Sequence, residues 1–142
     1  MNQAIIEAKK ALLDKQIPVG AIIVQNNKII ARAHNNNFID NDPTSHAEIN
    51  VIRSACKLLG RPRLDGCHLY VTIEPCIMCA AVISKSRISR VYYGAIQEKY
   101  GAYESSNFYL NNAKNYHIPE IYGLINNEEC KKLIIDYFKL RR

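Results

Sequence analysis

Two short motifs constrain this chain more than any other feature of its sequence. The first is His46-Ala47-Glu48, and the second is Pro75-Cys76-Ile77-Met78-Cys79. One imidazole and two cysteine sulfurs form a three-ligand zinc set that leaves the fourth coordination position open for water. The carboxylate of Glu48 is not needed as a ligand, so it is free to move protons. The motifs therefore predict a metal-assisted hydrolase, with His46, Cys76 and Cys79 as the metal ligands.

The residues around both motifs predict that each motif lies at a helix N-terminus. Asp42-Pro43-Thr44-Ser45 is rich in capping residues. An apolar series with helical spacing follows at Ala47, Val51, Ala55 and Leu58. Pro75 suits the first position of a second helix, whose first turn would bring Cys76 and Cys79 to the same side. We therefore expect the metal to lie between two helix N-termini, where thiolates and hydroxide are favoured.

The composition predicts one globular domain spanning residues 1–142. Hydrophobic residues make up 48% of the chain, which is enough for a packed core and argues against disorder. Lys and Arg outnumber Asp and Glu by 19 to 13, which gives a net charge of +6. This charge favours polyanionic partners, although many small proteins are equally basic.

The cysteines and the apolar runs predict a cytoplasmic protein that does not associate with membranes. The opening segment does not resemble a secretory signal, and no apolar run is long enough to span a bilayer. In a reducing compartment a metal site is the more plausible use of Cys76 and Cys79 than a disulfide. Cys56, Cys67 and Cys130 lie on apolar segments, and we expect them in the core.

The hydrophobic periodicity predicts alternating helices and strands. We expect helices over 2–15, 46–60, 75–85 and 127–142, a short helix near 108–113, and strands over 19–24, 28–33, 67–73, 88–93 and 118–124. The first two strands would form a hairpin, because asparagine between them tolerates positive φ. This order predicts a three-layer α/β/α sandwich, with helices on both faces of a five-stranded mixed sheet.

The two motifs match the signature of the zinc-dependent nucleobase deaminases, and the chain resembles this family. Within the family it resembles the bacterial tRNA-specific adenosine deaminases, from about Pro18 to the last residue. Further segments that match in order are Pro18-Val19-Gly20-Ala21, Asn35, Asp42-Pro43-Thr44, Thr72-Ile73-Glu74, Ser86-Arg87-Ile88, Val91, Gly94-Ala95, Lys99, Gly101 and Phe138-Lys139-Leu140-Arg141-Arg142.

The resemblance implies a cytidine deaminase-like fold and a specific reaction. The expected reaction is hydrolytic deamination of the wobble adenosine to inosine in a tRNA anticodon loop, with an arginine tRNA as substrate. One zinc ion per subunit, held by His46, Cys76 and Cys79, would make hydroxide available near neutral pH. Glu48 would accept a proton and pass it to the purine ring and the departing ammonia. The resemblance also implies a homodimer whose grooves draw on both subunits.

The same resemblance implies several contacts to the RNA. Asn35 is expected to recognise the flipped-out nucleotide, because its amide can both donate and accept hydrogen bonds. The backbone amide of Ala47 is expected to contact the base. Candidates for phosphate contacts are Lys99, Lys139, Arg141 and Arg142.

Other functions stay open at this stage. A deaminase of a free base or nucleoside, of the guanine or cytosine type, would use the same fold and motifs. Three departures from the tRNA branch are compatible with a deaminase of this type: Gln97 replaces an aspartate, and Tyr100 and Tyr103 replace smaller residues. A non-catalytic RNA-binding subunit would be expected to lose Glu48, which is present. A redox pair or structural zinc knuckle would explain Cys-x-x-Cys but not His46-Ala47-Glu48.

Overall fold

The computed structural model describes residues 1–104 and 113–141. The helices are α1 (Asn2–Leu13), α2 (Asn37–Asp40), α3 (Ala47–Leu59), α4 (Ile77–Lys85) and α5 (Asn127–Lys139), with a 3₁₀ turn at Ala113–Asn115. The strands are β1 (Gly20–Gln25), β2 (Lys28–His34), β3 (His68–Ile73), β4 (Arg90–Ala95) and β5 (Glu120–Tyr122). Of the helix expected near 108–113, residues 108–112 lie outside the described residues, and Ala113 begins the 3₁₀ turn.

The five strands form one mixed sheet in the order β2-β1-β3-β4-β5. Strand β1 runs antiparallel to both β2 and β3, whereas β3, β4 and β5 are parallel. The hairpin between β1 and β2 turns through Asn26 and Asn27, whose φ angles are 49° and 60°. Asparagine tolerates this left-handed backbone because its short polar side chain can bond locally. The predicted mixed sheet and its opening hairpin are confirmed.

Helices cover both faces of the sheet, as the sequence predicted. On one face, Val51 and Ala55 of α3 and Ile83 of α4 pack with buried strand residues such as Leu69 and Val91. On the other face, Gly20 of β1 lies directly against the backbone of α1, and Gly94 of β4 lies against Cys130 of α5. A side chain at either glycine would separate helix from sheet. No helix within the described residues has the length and apolar character that crossing a membrane requires.

Several element boundaries differ from the sequence-based predictions. Helix α1 ends at Leu13, before Lys15 adopts a left-handed conformation with φ 58°. The predicted strand over 118–124 is only Glu120–Tyr122. The predicted loop after β2 contains the one-turn helix α2, in which the Asn37 side chain donates to the main-chain oxygens of Asp42 and Pro43. These bonds depend on how the chain returns on itself, which hydrophobic periodicity does not encode.

The parallel pairing of β3 and β4 brings two functional segments to one edge of the sheet. The carboxyl ends of both strands lie at this edge, where open α/β sheets usually bind their ligands. Strand β3 ends at Ile73 and leads through 74–76 into α4, and β4 ends at Ala95 and leads into 96–104. The main-chain N–H of Glu74 donates to the carbonyl of Ala95 at 2.7 Å, so the two segments leave the sheet side by side.

Candidate active site

His46, Cys76 and Cys79 converge between the N-termini of α3 and α4. Their donor atoms all lie within 4.8 Å of one another. The Nδ1 atom of His46 is 3.4 Å from the Cys79 sulfur and 3.8 Å from the Cys76 sulfur. Ordinary Zn–N and Zn–S bond lengths in a tetrahedral site separate nitrogen and sulfur donors by about 3.6 Å. The donor set therefore fits zinc both in its chemistry and in its spacing.

Two of these side chains come from residues that precede their helices. His46 is extended, with φ −78° and ψ 152°, and α3 starts at the next residue. Cys76 is also extended, with φ −72° and ψ 169°, so α4 begins at Ile77 rather than at Pro75 as predicted. Cys79 lies in the first turn of α4, where Cα–Cβ bonds tilt toward the N-terminus and so toward Cys76. The expected convergence occurs, but Cys76 reaches it from outside the helix.

The segment before His46 forms a turn instead of the predicted side-chain cap. The Asp42 carboxylate accepts from the main-chain N–H of Thr44 at 2.7 Å and from its hydroxyl at 2.8 Å. The first N–H of α3, that of Ala47, donates instead to Oδ1 of Asn35 at 2.8 Å. Asn35 follows β2, so a residue distant in sequence satisfies the helix terminus. A contact between the Ala47 amide and a base would share this proton with Asn35.

Glu48 is the buried carboxyl group of the cluster, with only 3% of its surface exposed. Burial raises the pKa of Glu48 to about 7, and the neighbouring His46 partly opposes this rise. A carboxyl group with a pKa near neutrality can both accept and release protons at physiological pH. Glu48 lines the same cavity as His46 and Cys76, so any proton it moves is available to a bound ligand.

The two sulfurs differ sharply in acidity. The thiol of Cys79 donates to Cys76 and His46 lies beside it, and together they lower the pKa of Cys76 to about 4. The same hydrogen bond, together with burial, raises the pKa of Cys79. The hydrogen bond to Cys76 raises the pKa of His46. One thiolate is therefore already present at neutral pH, and metal binding to such a pair releases the remaining proton.

A cavity of about 750 Å³ opens onto this cluster. Its size falls in the range of pockets that take small-molecule ligands. Most of its wall is apolar, and the apolar lining residues are Ile17, Val19, Phe38, Pro43, Ile73, Ile77, Met78, Ile134 and Phe138. The polar lining residues are Asn35, Asn37, His46, Glu48, Glu74, Cys76, Gln97, Lys99 and Tyr100, so the cavity combines an apolar wall with polar groups that can orient a ligand.

The predicted binding residues are not all at this cavity. Asn35 lines it and is 5% exposed, and Lys99 lines it as well. Arg141 is not among the lining residues: its guanidinium donates to the main-chain oxygen of Lys15 at 2.9 Å and lies 4.3 Å from the centre of the Tyr137 ring. Arg142 lies outside the described residues.

Of the three residues that depart from the tRNA branch, two line the cavity and one does not. Gln97 and Tyr100 line the cavity, and Tyr100 is 66% exposed at its mouth. Tyr103 instead packs against Ala80 and Ala102. Only the first two can contact a ligand in the cavity.

Sequence reasoning missed Glu74 and Phe138 as parts of the site. The Glu74 carboxylate is buried and accepts from three main-chain N–H groups of the segment that carries Gln97. Phe138 is 48% exposed and lines the cavity. Both residues lie in segments that match the deaminase family, but the sequence did not indicate that their side chains belong to the site. For Glu74, its charge between an apolar strand and Pro75 was a further signal.

Two other histidines and the three remaining cysteines lie outside the ligand cluster. His34 lies 3.3 Å from a Glu7 carboxylate oxygen, and one ring nitrogen of His117 is 2.7 Å from the carbonyl of Ile88. Cys67 and Cys130 are fully buried, whereas Cys56 is half-buried. Cys67 and Cys130 therefore take the expected core positions, and Cys56 packs against the edge of the core.

Comparison with known proteins defines the class. Residues 1–95 match the model of the cytidine and deoxycytidylate deaminase zinc-binding region. The chain therefore belongs to this family, and it is a zinc-dependent deaminase. The resemblance inferred from the two motifs is confirmed, as is the three-layer fold.

Three individual proteins are similar to this chain over most of its length. A tRNA-specific adenosine deaminase of Agrobacterium fabrum is 43% identical, over 100% of this chain and 93% of that protein. A solved structure from studies of A-to-I editing by tRNA:A34 deaminases at the wobble position has a TM-score of 0.90 and 44% identity, covering 94% of this chain and 96% of that one. A guanine deaminase of Bacillus subtilis has a TM-score of 0.66 and 36% identity, covering 83% and 79%.

Replacing Cys76 with alanine should remove the metal. Two protein donors remain after this change, and they hold zinc far less tightly than three. Elemental analysis of the purified variant should find close to no zinc, against about one ion per chain in the wild type. Cys56→Ala is the matched control, because Cys56 is half-buried and lies outside the cluster. Full zinc occupancy in the Cys76 variant would contradict the assigned ligand set.

Proposed function

We propose that this chain hydrolyses the wobble adenosine of a tRNA anticodon to inosine, with an arginine tRNA as the expected substrate. The observation that carries the proposal is the full-length likeness to tRNA-specific adenosine deaminases, which extends beyond the two zinc motifs. The cavity beside the ligand cluster supports it, because a single nucleoside fits its volume. The net charge of +6 also favours a polyanionic substrate.

The proposed chemistry assigns each group of the cluster a role. His46, Cys76 and Cys79 would hold a zinc ion that makes hydroxide available near neutral pH. Glu48 would take up the proton released from the water and deliver it to the purine ring nitrogen, and it would then carry the proton of the newly bound hydroxyl group to the exocyclic nitrogen. A C–O bond forms at C6 and the bond from C6 to the exocyclic nitrogen breaks, so ammonia leaves and inosine remains. Burial of Glu48 suits this work, because its pKa of about 7 lets it accept and donate in one cycle.

Asn35 is the proposed recognition residue for the nucleotide. Its Oδ1 is already bonded to the N–H of Ala47, so its Nδ2 is the group that would donate to the ligand. Ala47 contributes by fixing the orientation of Asn35. An adenosine in an anticodon loop is already partly unstacked, so its extrusion into the cavity costs less than extrusion from a duplex.

Lys99, Arg141 and Arg142 are the proposed phosphate contacts. Lys99 has the strongest support, because it lines the cavity that would hold the base. Arg141 lies near the end of α5, the helix that contributes Ile134 and Phe138 to the same cavity. Its guanidinium would contact phosphate while it keeps its position over Tyr137.

We further propose a cytoplasmic homodimer. Two exposed apolar side chains line the cavity, Phe38 at 58% and Ile77 at 42% exposure, and Ile39, which follows Phe38 in α2, is 57% exposed. Exposed apolar side chains next to a site are typical of an interaction surface. All five cysteines are free thiols, which fits a reducing compartment.

A free-base deaminase of the guanine type is the second candidate. Two observations favour it: the likeness to the Bacillus subtilis guanine deaminase, and the presence of Gln97 and Tyr100 in the cavity wall. These residues would meet the ligand in place of the smaller or acidic groups of the tRNA branch.

Product formation by the zinc-loaded protein separates the two candidates. We expect inosine in an arginine tRNA with adenosine at the wobble position, and no turnover of free adenosine, guanine or cytidine. Nucleoside analysis of digested tRNA measures the product, and the same tRNA with guanosine at that position is the control. Turnover of a free base with the tRNA unchanged would assign the protein to the second candidate.

Replacing Glu48 with glutamine should abolish turnover and leave zinc bound. The amide has nearly the same shape but cannot accept the proton, and loss of a general acid–base typically costs 10²–10⁴-fold or more. Single-turnover deamination and elemental analysis are measured on the same preparation. Glu7→Gln serves as the control, because it neutralises a buried carboxylate of α1 outside the cavity. Wild-type rates in the Glu48 variant would exclude the assigned role.

Replacing Lys99 with alanine should weaken tRNA binding and flatten its salt dependence. Loss of one phosphate contact reduces the slope of log K against log salt concentration by about 1. Binding is titrated at several salt concentrations with an inactive Glu48 variant as background. Lys28→Ala, in the exposed hairpin, should leave the slope unchanged. An unchanged slope in the Lys99 variant would remove that residue from the RNA interface.

A further inference from the structure

Glu74 is a fully buried carboxylate that the deamination chemistry does not use. It is 1% exposed and lies between the end of β3 and the proposed ligand Cys76. Its Oε2 atom accepts from the main-chain N–H of Gln97 at 3.0 Å. Its Oε1 atom accepts from the main-chain N–H groups of Tyr103 at 3.0 Å and Glu104 at 2.7 Å. One side chain therefore binds both ends of the segment 97–104, which we call the wall segment.

The main chain reinforces the same connection. Cys76 and Gly101 form an isolated antiparallel bridge, and the N–H of Ala102 donates to the carbonyl of Pro75 at 3.0 Å. The wall segment also closes on itself, because the N–H of Gly101 donates to the carbonyl of Gln97 at 2.8 Å. The wall segment thus wraps around Glu74 and is bonded to the two residues that follow it.

Gly101 shows how closely the wall segment surrounds the carboxylate. A Cβ atom at this position would lie within 2.6 Å of Cδ and both oxygens of Glu74. Glycine is required here for space and not for backbone conformation, because Gly101 is not among the residues with positive φ. An alanine at position 101 would push the carboxylate and the wall segment apart.

The wall segment forms one side of the cavity. Gln97, Lys99, Tyr100 and Gly101 all line it, and the bridge from Gly101 to Cys76 places the wall segment beside the N-terminus of α4. Glu74 is two residues before Cys76, so the same short stretch that delivers a ligand also holds the wall. Any displacement of the carboxylate would move the wall relative to the ligand cluster.

We propose that Glu74 is a positioning residue that fixes the substrate-binding wall, residues 97–104, relative to the metal ligand Cys76. This inference rests on the proposed function for its kinetic consequences, but its structural content is independent of the substrate. Buried N–H groups need acceptors, and a carboxylate offers two oxygens that can serve three of them. A glutamine amide offers one oxygen, and its NH₂ group would face at least one N–H donor.

The test compares Glu74→Gln and Gly101→Ala, which disturb the same contact from opposite sides. Hydrogen exchange of the Gln97, Tyr103 and Glu104 amides should accelerate by about 10-fold or more, as expected when an amide loses its hydrogen-bond acceptor. Amides of the β1–β2 hairpin should exchange at wild-type rates. Zinc content should stay at the wild-type level. Glu7→Gln is the matched control, because it removes a buried carboxylate from α1 without touching the wall segment.

The kinetic readout separates positioning from a general loss of stability. KM for the tRNA should rise about 10-fold, whereas kcat should change less than about 3-fold. The reason is that a displaced wall weakens substrate binding more than it slows the proton transfers. The double variant Glu74→Gln/Gly101→Ala should be no worse than the poorer single variant, since both changes break one interaction.

Three results would overturn the inference. One is wild-type exchange at all three amides in a folded Glu74→Gln protein. Another is uniform acceleration across every amide, which would indicate global destabilisation. The third is strictly additive effects in the double variant. If Glu74→Gln does not fold, Gly101→Ala supplies the exchange and KM tests alone. A wild-type protein that does not deaminate tRNA would refute the proposed function, whereas the exchange experiment would still decide the role of Glu74.

Discussion

The site depends on two helix N-termini brought face to face at one edge of the sheet. His46 and Cys76 are extended residues that immediately precede α3 and α4, and Cys79 lies in the first turn of α4. At a helix N-terminus the main-chain N–H groups favour anionic sulfur and hydroxide. The same arrangement buries Glu48 beside the ligands, which raises its pKa to about 7. The two helix N-termini therefore position both the candidate metal ligands and the carboxyl group proposed to carry protons.

Support for this arrangement comes from groups that are remote in sequence. Asn35, after β2, satisfies the first N–H of α3, and Glu74, after β3, satisfies three N–H groups of the wall segment. Each of these buried side chains accepts from main-chain donors that no neighbouring turn of helix or strand satisfies. The cavity wall is thus held by polar side chains bonded to backbone, and apolar side chains supply most of its surface. Such a wall keeps its shape while offering few competing hydrogen bonds to a ligand.

Much of the fold follows from local sequence signals. Helical and strand periodicity located the helices α1, α3, α4 and α5 and all five strands, and the asparagines between β1 and β2 indicated the hairpin. Boundaries were less accurate, because helix ends depend on capping partners. Helix α4 begins at Ile77 because Pro75 and Cys76 are bonded to the wall segment instead of continuing the helix. Helix α2 was missed because its stabilising bonds form only after the chain has folded back.

The sequence by itself determined the chemistry: one histidine, one glutamate and two cysteines in a spacing that suits zinc and a proton carrier. These residues could be identified because ligand type and local spacing are properties of the chain. The tertiary structure alone decided which residues form the cavity. It brought in Phe138 and Glu74, placed Gln97 and Tyr100 in the cavity wall, and packed Tyr103 against Ala80 and Ala102. The physical reason is that cavity walls arise from long-range packing and from the need of buried N–H groups for acceptors, neither of which a local pattern records.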